Sequence, residues 1–451
     1  MKELKFLKLL LPAAAIFFTG IWVNGQEKWS LEQCIQYAME NNLAIKQQKL
    51  SVELSQNAYT QSRASRIPSL NAGASPNLNY GRSIDPVTNL PVTDNVQSFN
   101  YSIKSSVPLF NGFQIRNTIE QNRLDLMASH KDVEKIQNDI SLNIASAYLQ
   151  ILFNYELLEI AKNQLELTLM QVERTQALVE AGSVPQGNLL EIEAQAAAEN
   201  LRVINAENQL NMSYLTLTQL LELTEPLDFQ IEIPDFSDVA IQKLLYTVDE
   251  VYNEALETQP QIEIAQIDSE IAHRGLSIAQ GRRSPSLSLS SSYSSHYRRL
   301  LRDGDVFGDP DPFIDQVKDN QSIAFSLSLS IPIFNSLQTH TAVQNAKIGI
   351  LNSEYSLQQT KNRLFNEIQQ AYTDAVASYE KYIASEKAVQ SMTEAFRYTE
   401  ERFEVGMVNI VDYNLSKNQL TSARSDLLTA KYEYIFTTNI LDFYLGNPVS
   451  F

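Results

Sequence analysis

The sequence predicts an α+β membrane protein whose protomer carries four transmembrane β-strands and long coiled-coil-like helices. It is internally duplicated and closed only as a trimer. Three observations predict this. Four stretches alternate strictly between apolar and small or polar residues, nearly all the remaining chain has helical periodicity, and the order of these elements occurs twice.

The chain opens with Lys2, Lys5 and Lys8, then an apolar run over 9–23, then Val23-Asn24-Gly25 before Gln26. That order reads as a secretory signal peptide over 1–25, which has no part in the fold. No Cys follows it, so a lipid anchor is not expected. Elsewhere no stretch approaches the ~18 apolar residues of a helical membrane span.

Residues 26–223 read as a first repeat. A helix is expected over 31–65, then a strand over 69–80, where Leu70, Ala72, Ala74, Pro76, Leu78 and Tyr80 alternate with Asn71, Gly73, Ser75, Asn77 and Asn79. A Pro/Asn/Asp-rich loop over 81–98 leads to a second strand over 99–110, with Phe99, Tyr101, Ile103, Val107 and Leu109 on one side. Such a period puts a continuous apolar surface on one face of a strand. Each stretch is near the ~9–11 residues that a tilted strand needs to cross a bilayer. A long helix follows over 113–181 and a shorter one over 185–223.

Residues 224–247, with Pro226 and Pro234, link the halves. The second repeat, 248–446, has a helix over 248–281 and strands over 286–297 and 322–333. In the last of these, Ile323, Phe325, Leu327, Leu329, Ile331 and Ile333 alternate with Ser322, Ala324, Ser326, Ser328, Ser330 and Pro332. Helices over 337–405 and 410–445 follow, and 447–451 is a short tail.

The duplication is legible in particular residues. Arg66-Ile67-Pro68-Ser69-Leu70 returns as Arg283-Ser284-Pro285-Ser286-Leu287, 217 residues on. Ser106-Val107-Pro108-Leu109-Phe110-Asn111 returns as Ser330-Ile331-Pro332-Ile333-Phe334-Asn335 at 224, as does Glu180-Ala181-Gly182 as Glu404-Val405-Gly406. The additional residues of the second repeat therefore lie in its hairpin loop.

Ile144, Ile151, Leu158, Leu165, Val172 and Val179 recur every seven residues, and the same row 224 later is Ile368, Ala375, Tyr382, Val389, Phe396 and Phe403. That repeat favours left-handed supercoiling of packed neighbours. About 65 residues at 1.5 Å each give roughly 100 Å of helix, longer than a globular domain requires. The two shorter helices of each half together match one long helix. Stacked end to end, they would line it.

Four strands cannot close a barrel, since the smallest single-chain barrels have about eight, and open strand edges are not tolerated in lipid. Other copies must cover the edges, and three copies give a modest pore.

Composition narrows the functions. The formal net charge is −18 over 451 residues, and −20 once residues 1–25 are removed. Nucleic acid and anionic lipid are thereby disfavoured as main partners, and an acidic aqueous lumen is compatible. The single Cys34, between Leu31 and Ala38 on an amphipathic segment, reads as a buried structural thiol. The four His residues are scattered, and no catalytic constellation or cofactor motif occurs. The run from Asp303 to Asp311 lacks the spacing of a calcium loop and reads as a solvated external loop.

These residues resemble the TolC-type outer-membrane efflux protein family. The carriers are the duplicated helix–hairpin–long helix order, the strand ends at 106–112 and 330–335, and the Val-Gly-x-x-x-x-x-Asp turn from Val405 to Asp412. The resemblance covers 28–446. It implies a homotrimer with a 12-stranded outer-membrane barrel and a 12-helix periplasmic tunnel. It also implies docking on a periplasmic adaptor (membrane fusion) protein and an inner-membrane pump of RND, ABC or MFS type. The function implied is a passive conduit for efflux or type I secretion. The alternative is a periplasm-spanning coiled-coil adaptor or structural protein without its own pore, which would have no use for barrel strands.

Two sites are then expected. Gly182 and Gly406, ending the long helices, would be the adaptor-docking tips. Asp412, six residues past Gly406, would form a periplasmic gate together with Phe403. Asn188 stands where the first half would have the matching acid. Capping roles explain the glycines and Asp412 equally well.

Overall fold

Two copies of one plan follow each other along the chain. The computed structural model describes residues 28–84, 89–93, 95–223, 229–234, 241–301 and 311–448. The expected signal peptide 1–25, the acidic run through Asp309 and the last three residues of the tail lie outside the described residues. The first repeat contains α1 (Leu31–Asn41), α2 (Leu43–Ala64), β1 (Ser69–Asn79), β2 (Arg82–Ile84), β3 (Pro91–Thr93), β4 (Asn95–Phe110), α3 (Gln114–Glu180) and α4 (Gln186–Leu220). The second contains α5 (Val248–Thr258), α6 (Pro260–Gly281), β5 (Ser286–Leu301), α7 (Phe313–Asp319), β6 (Ser322–Ser330), α8 (Gln338–Glu404) and α9 (Ile410–Tyr444). The helix pairs α3 and α8, at 67 residues each, and α4 and α9, at 35 each, have identical lengths.

The first helix of each repeat, expected to be continuous, is broken. In the first repeat the break is Asn42, whose side chain accepts from Ala44 N and Ile45 N and so starts a new helix. Its amide also donates to Leu220 O, 3.3 Å away, at the end of α4. In the second repeat the break is Gln259, held extended by the following Pro260. Its amide donates to Phe443 O at 3.4 Å. Each break therefore joins the start of one helix to the end of another. The carboxylate of Glu222 completes the first junction by accepting from Leu43 N at 2.9 Å. This is the end-to-end stacking expected from helix lengths, and it lets α2 and α4 line α3 while α6 and α9 line α8.

The starts of α1 and α5 are closed by capping boxes, Ser30 with Gln33 and Thr247 with Glu250. The largest core lies where the repeats meet. Leu31, Cys34 and Ala38 of α1, Ile144, Tyr148 and Ile151 of α3, and Leu217 of α4 pack there with Leu428 and Ile435 of α9. Trp29 pairs with Ile231 of the linking segment in a parallel bridge, and the Tyr148 hydroxyl donates to Glu232 O at 2.6 Å. Cys34 is buried, as its amphipathic position indicated.

Four strands form one antiparallel sheet ordered β1-β4-β5-β6, and β2 and β3, in the stretch expected to be loop, pair as a separate two-stranded sheet. Its register sorts the faces. Ala72 stands opposite Ile103, Ile103 opposite Tyr293, and Tyr293 opposite Ile323. Leu289 stands opposite Val107 and Leu327. The apolar rows of all four strands thus share one face, while Ser102, Ser294 and Ser322 share the other. β6 ends at Ser330, short of the expected 333, because Pro332 has no N–H for a ladder. β4 and β5 run further out than expected, because they pair with each other up to Asn95 opposite Leu301.

The turn from sheet to long helix is tight. Gly112 has φ +66°, and a Cβ there would lie 2.2 Å from Gly281 O, so the α6 end and the α3 start touch backbone to backbone. No helix among the described residues is long and apolar enough to cross a membrane.

Candidate functional site

Both long helices end the same way. Gly182 and Gly406 have φ of +70° and +75°. Gly182 N donates to Val179 O and Ser183 N to Leu178 O, at 2.9 and 2.8 Å. Gly406 N donates to Phe403 O and Met407 N to Arg402 O, at 3.0 and 2.8 Å. These are Schellman caps, closed by a left-handed residue for which glycine is the low-strain choice. An added Cβ would meet nothing within 4 Å at either glycine. The caps therefore need glycine for backbone reasons alone, and both glycines are exposed.

Asp412 begins α9. Its N–H donates to Asn409 Oδ1 at 2.8 Å, and Asn409 Nδ2 donates back to Asp412 Oδ2 at 3.0 Å. Asp412 thus has the capping role its position allows, though the return bond comes from the cap side chain instead of its backbone. The carboxylate is exposed at the positive end of the helix, where the dipole favours it. Asn188, half-buried, occupies the equivalent turn of α4, and its N–H donates to Pro185 O.

Phe403 lies against the residue that follows Asp412. It stacks on Tyr413, with ring centroids 4.6 Å apart and planes 26° apart, and Phe396 adds a second ring at 5.5 Å. Tyr413 and Ile410 pack with Ile192, Leu189 and Val172, so this cluster spans both hairpins. Burial pushes the Tyr413 phenol up to about 12. A side chain one turn-step from Asp412 thus belongs to the core that joins the tips. Arg174 of α3 and Glu404 of α8 add a bridge at 3.2 Å, largely exposed and therefore weak.

Behind the tips lies a buried polar seam that sequence reasoning missed. Lys417 of α9 is 5 % exposed and Glu199 of α4 is 1 % exposed. Lys417 Nζ donates to Thr168 Oγ1 of α3 at 2.7 Å, and the Thr168 hydroxyl donates to Glu199 Oε2. Gln195 Nε2 donates to Glu199 Oε1 at 2.8 Å. Thr421 Oγ1 donates to Gln164 Oε1 at 3.0 Å. Burial lowers the Lys417 ammonium from its usual range, opposed by Glu199 and Glu400. The available signal was Gln164, Thr168 and Thr175, polar residues at seam spacing on α3. Only the fold shows that they are buried.

Among the described residues, no cluster of three or more His, Cys, Asp or Glu is placed to hold a metal. What the arrangement offers is a wall: a sheet with a continuous apolar face, a long helical body and two open tips. These features define an outer-membrane channel of the efflux type. The chain belongs to the outer membrane efflux protein family, which it matches over residues 34–222 and 251–447, one match per repeat. It is 22% identical over 440 residues to the outer membrane protein TolC of Vibrio cholerae, covering 96% of this chain and 93% of that one. It is 19% identical to the outer membrane efflux protein BepC of Brucella suis, over 96% and 89% of the two chains. Among solved structures, CusC superposes with a TM-score of 0.78 at 18% identity, covering 92% and 91%. VceC of Vibrio cholerae superposes at 0.77 and 18%, covering 93% and 97%. The family and the sheet favour the channel over the adaptor without a pore, and place the chain in the outer membrane of a Gram-negative bacterium.

Proposed function

We propose that three copies of this chain close a barrel of 12 strands in the outer membrane, continued by a 12-helix tunnel in the periplasm. The carrying observation is the sheet: among the described residues β1 and β6 each have one neighbour, and its apolar face is open, with Phe325 77 % exposed. Lipid accepts that face but not the two edges. Closure needs the β6 of one copy beside the β1 of the next. Exposed Leu43, Leu50 and Leu54 on α2 and Leu201 and Met212 on α4 fit subunit contacts along the tunnel.

In this reading the protein is a passive conduit. The tips at Gly182 and Gly406 dock a periplasmic adaptor, which joins the tunnel to an inner-membrane pump. Asp412 repeats three times about the axis, forming a ring of like charge that admits cations and resists collapse. The test of assembly is native mass in detergent. Three copies per particle are expected, and a stable folded monomer would overturn the closure.

A further inference from the structure

The second hairpin loop carries a helix, α7, for which the channel reading has no use. It lies beyond the end of β6, where β5 continues from Ser295 to Leu301 paired with β4 but not with β6. The bare edge of β5 there is covered by α7. Asn320 Nδ2, just past the helix, donates to His296 O at 2.9 Å, and Arg298 N donates to Gln316 Oε1 at 3.1 Å. Ser295 Oγ, on the apolar face of the sheet, donates to Val317 O at 2.6 Å. Phe313 rests on that same face against Tyr297 and Tyr101, with centroids 5.1 and 5.9 Å apart. The helix is therefore fastened to the outside of the barrel wall, away from the polar face.

Its residues divide by helical spacing. Phe313, Ile314 and Val317 share one arc, and Asp315, Lys318 and Asp319 share the other. Part of the apolar arc is exposed: Ile314 is 62 % exposed and Phe313 46 %. These side chains continue the exposed apolar row of β6, which starts at Ile323. The aromatic residues Phe99, Tyr101, Tyr297 and Phe313 gather at the same level, as they do at the rim of a membrane belt.

We propose that α7 is an interfacial anchor, with Ile314 and the open flank of Phe313 seated in the outer leaflet of the bilayer and Asp315 and Asp319 in water. The occupant is lipid because the patch is continuous with the face that the barrel turns to lipid; the inference rests on that reading of the barrel. α7 also serves as an edge cover, which leaves the outer end of β5 unavailable to foreign strands.

The experiment places a tryptophan in the full-length protein, reconstituted in phospholipid vesicles carrying nitroxide at shallow or deep acyl positions. Ile314→Trp is compared with Asp315→Trp on the charged arc and Phe325→Trp in the barrel belt, against the signal of Trp29 in the parent. The expected result is that shallow nitroxide quenches Ile314→Trp at least about two-fold more than Asp315→Trp, with the order reversed for aqueous acrylamide. Phe313→Trp reads the same arc should Ile314→Trp not assemble. Equal responses of the two arcs, with Phe325→Trp quenched by nitroxide lipid, would overturn the anchor while leaving the barrel. Absence of lipid quenching at Phe325→Trp would overturn the barrel reading itself.

Discussion

Lys417 and Glu199 lie on different repeats, are both buried, and are joined through the single hydroxyl of Thr168. One threonine therefore ties α9 to the α3–α4 hairpin by two charge-assisted hydrogen bonds. The arrangement couples the two hairpins behind the tips, and removal of either charge leaves the other buried without its counter-charge.

Lys417→Met leaves Glu199 buried without its cation. A cost of about 3–5 kcal/mol is expected for breaking such a pair from one side. Hydrogen exchange should speed up along the distal parts of α3, α4 and α9, with the barrel end of α3 unchanged. The double variant Lys417→Met with Glu199→Gln should recover much of the loss. Equal exchange in parent and single variant would show that the pair carries no stability.

Cys34 supplies a pH signature. Burial pushes its thiol from 9.0 up to about 12. The unfolded chain releases this proton first, so the contribution to stability is full below pH 9 and declines as pH rises from 9 toward 12. The thiolate is also the reactive form. At pH 8 the folded protein should resist iodoacetamide for hours and react upon unfolding. Mass spectrometry of the labelled protein checks this, and rapid labelling of the folded chain would contradict the buried position.

Gly406→Val forces a β-branched residue into φ +75° with no steric neighbour to blame. The expected local cost is about 1–2 kcal/mol. The trimer and barrel should persist while adaptor cross-linking at the tip and export both fall. Unchanged cross-linking and export would leave Gly406 as a cap with no partner.

Asp412 and Phe403 act differently in single-channel recordings. Asp412→Asn removes the proposed ring of charge and should abolish cation preference, with little change in stability because the Asn409 cap stays and an amide oxygen at 412 can still accept from Asn409 Nδ2. Phe403→Ala removes the ring stacked on Tyr413. The tip cluster loosens by roughly 3–5 kcal/mol at most, and conductance should rise. Were both properties to stay at parental values, the constriction would lie elsewhere in the tunnel.

The amino-acid sequence by itself determined the four strands of the larger sheet, the long helices, the duplication and the glycine turns, but not the short β2 and β3 or the helix α7. Each of these is written in a local period or a local conformational need. Alternation of Ser and Leu through β6 records an apolar face on one side and a polar face on the other, and Gly182 and Gly406 record a left-handed φ. Signals for the breaks were also local, in Asn42 and in Pro260, although the overall helical period masks them. Tertiary structure alone decided what those elements face. The partner of Phe403 is Tyr413 on a neighbouring helix, and the ladder of β4 with β5 joins residues from separate repeats. Lys417 looks like an ordinary solvated lysine until α3 and α4 close over it. Its partner Thr168 is 249 residues away. Local periodicity specifies which face of an element is apolar, but burial of a polar group depends on which distant surface arrives to cover it.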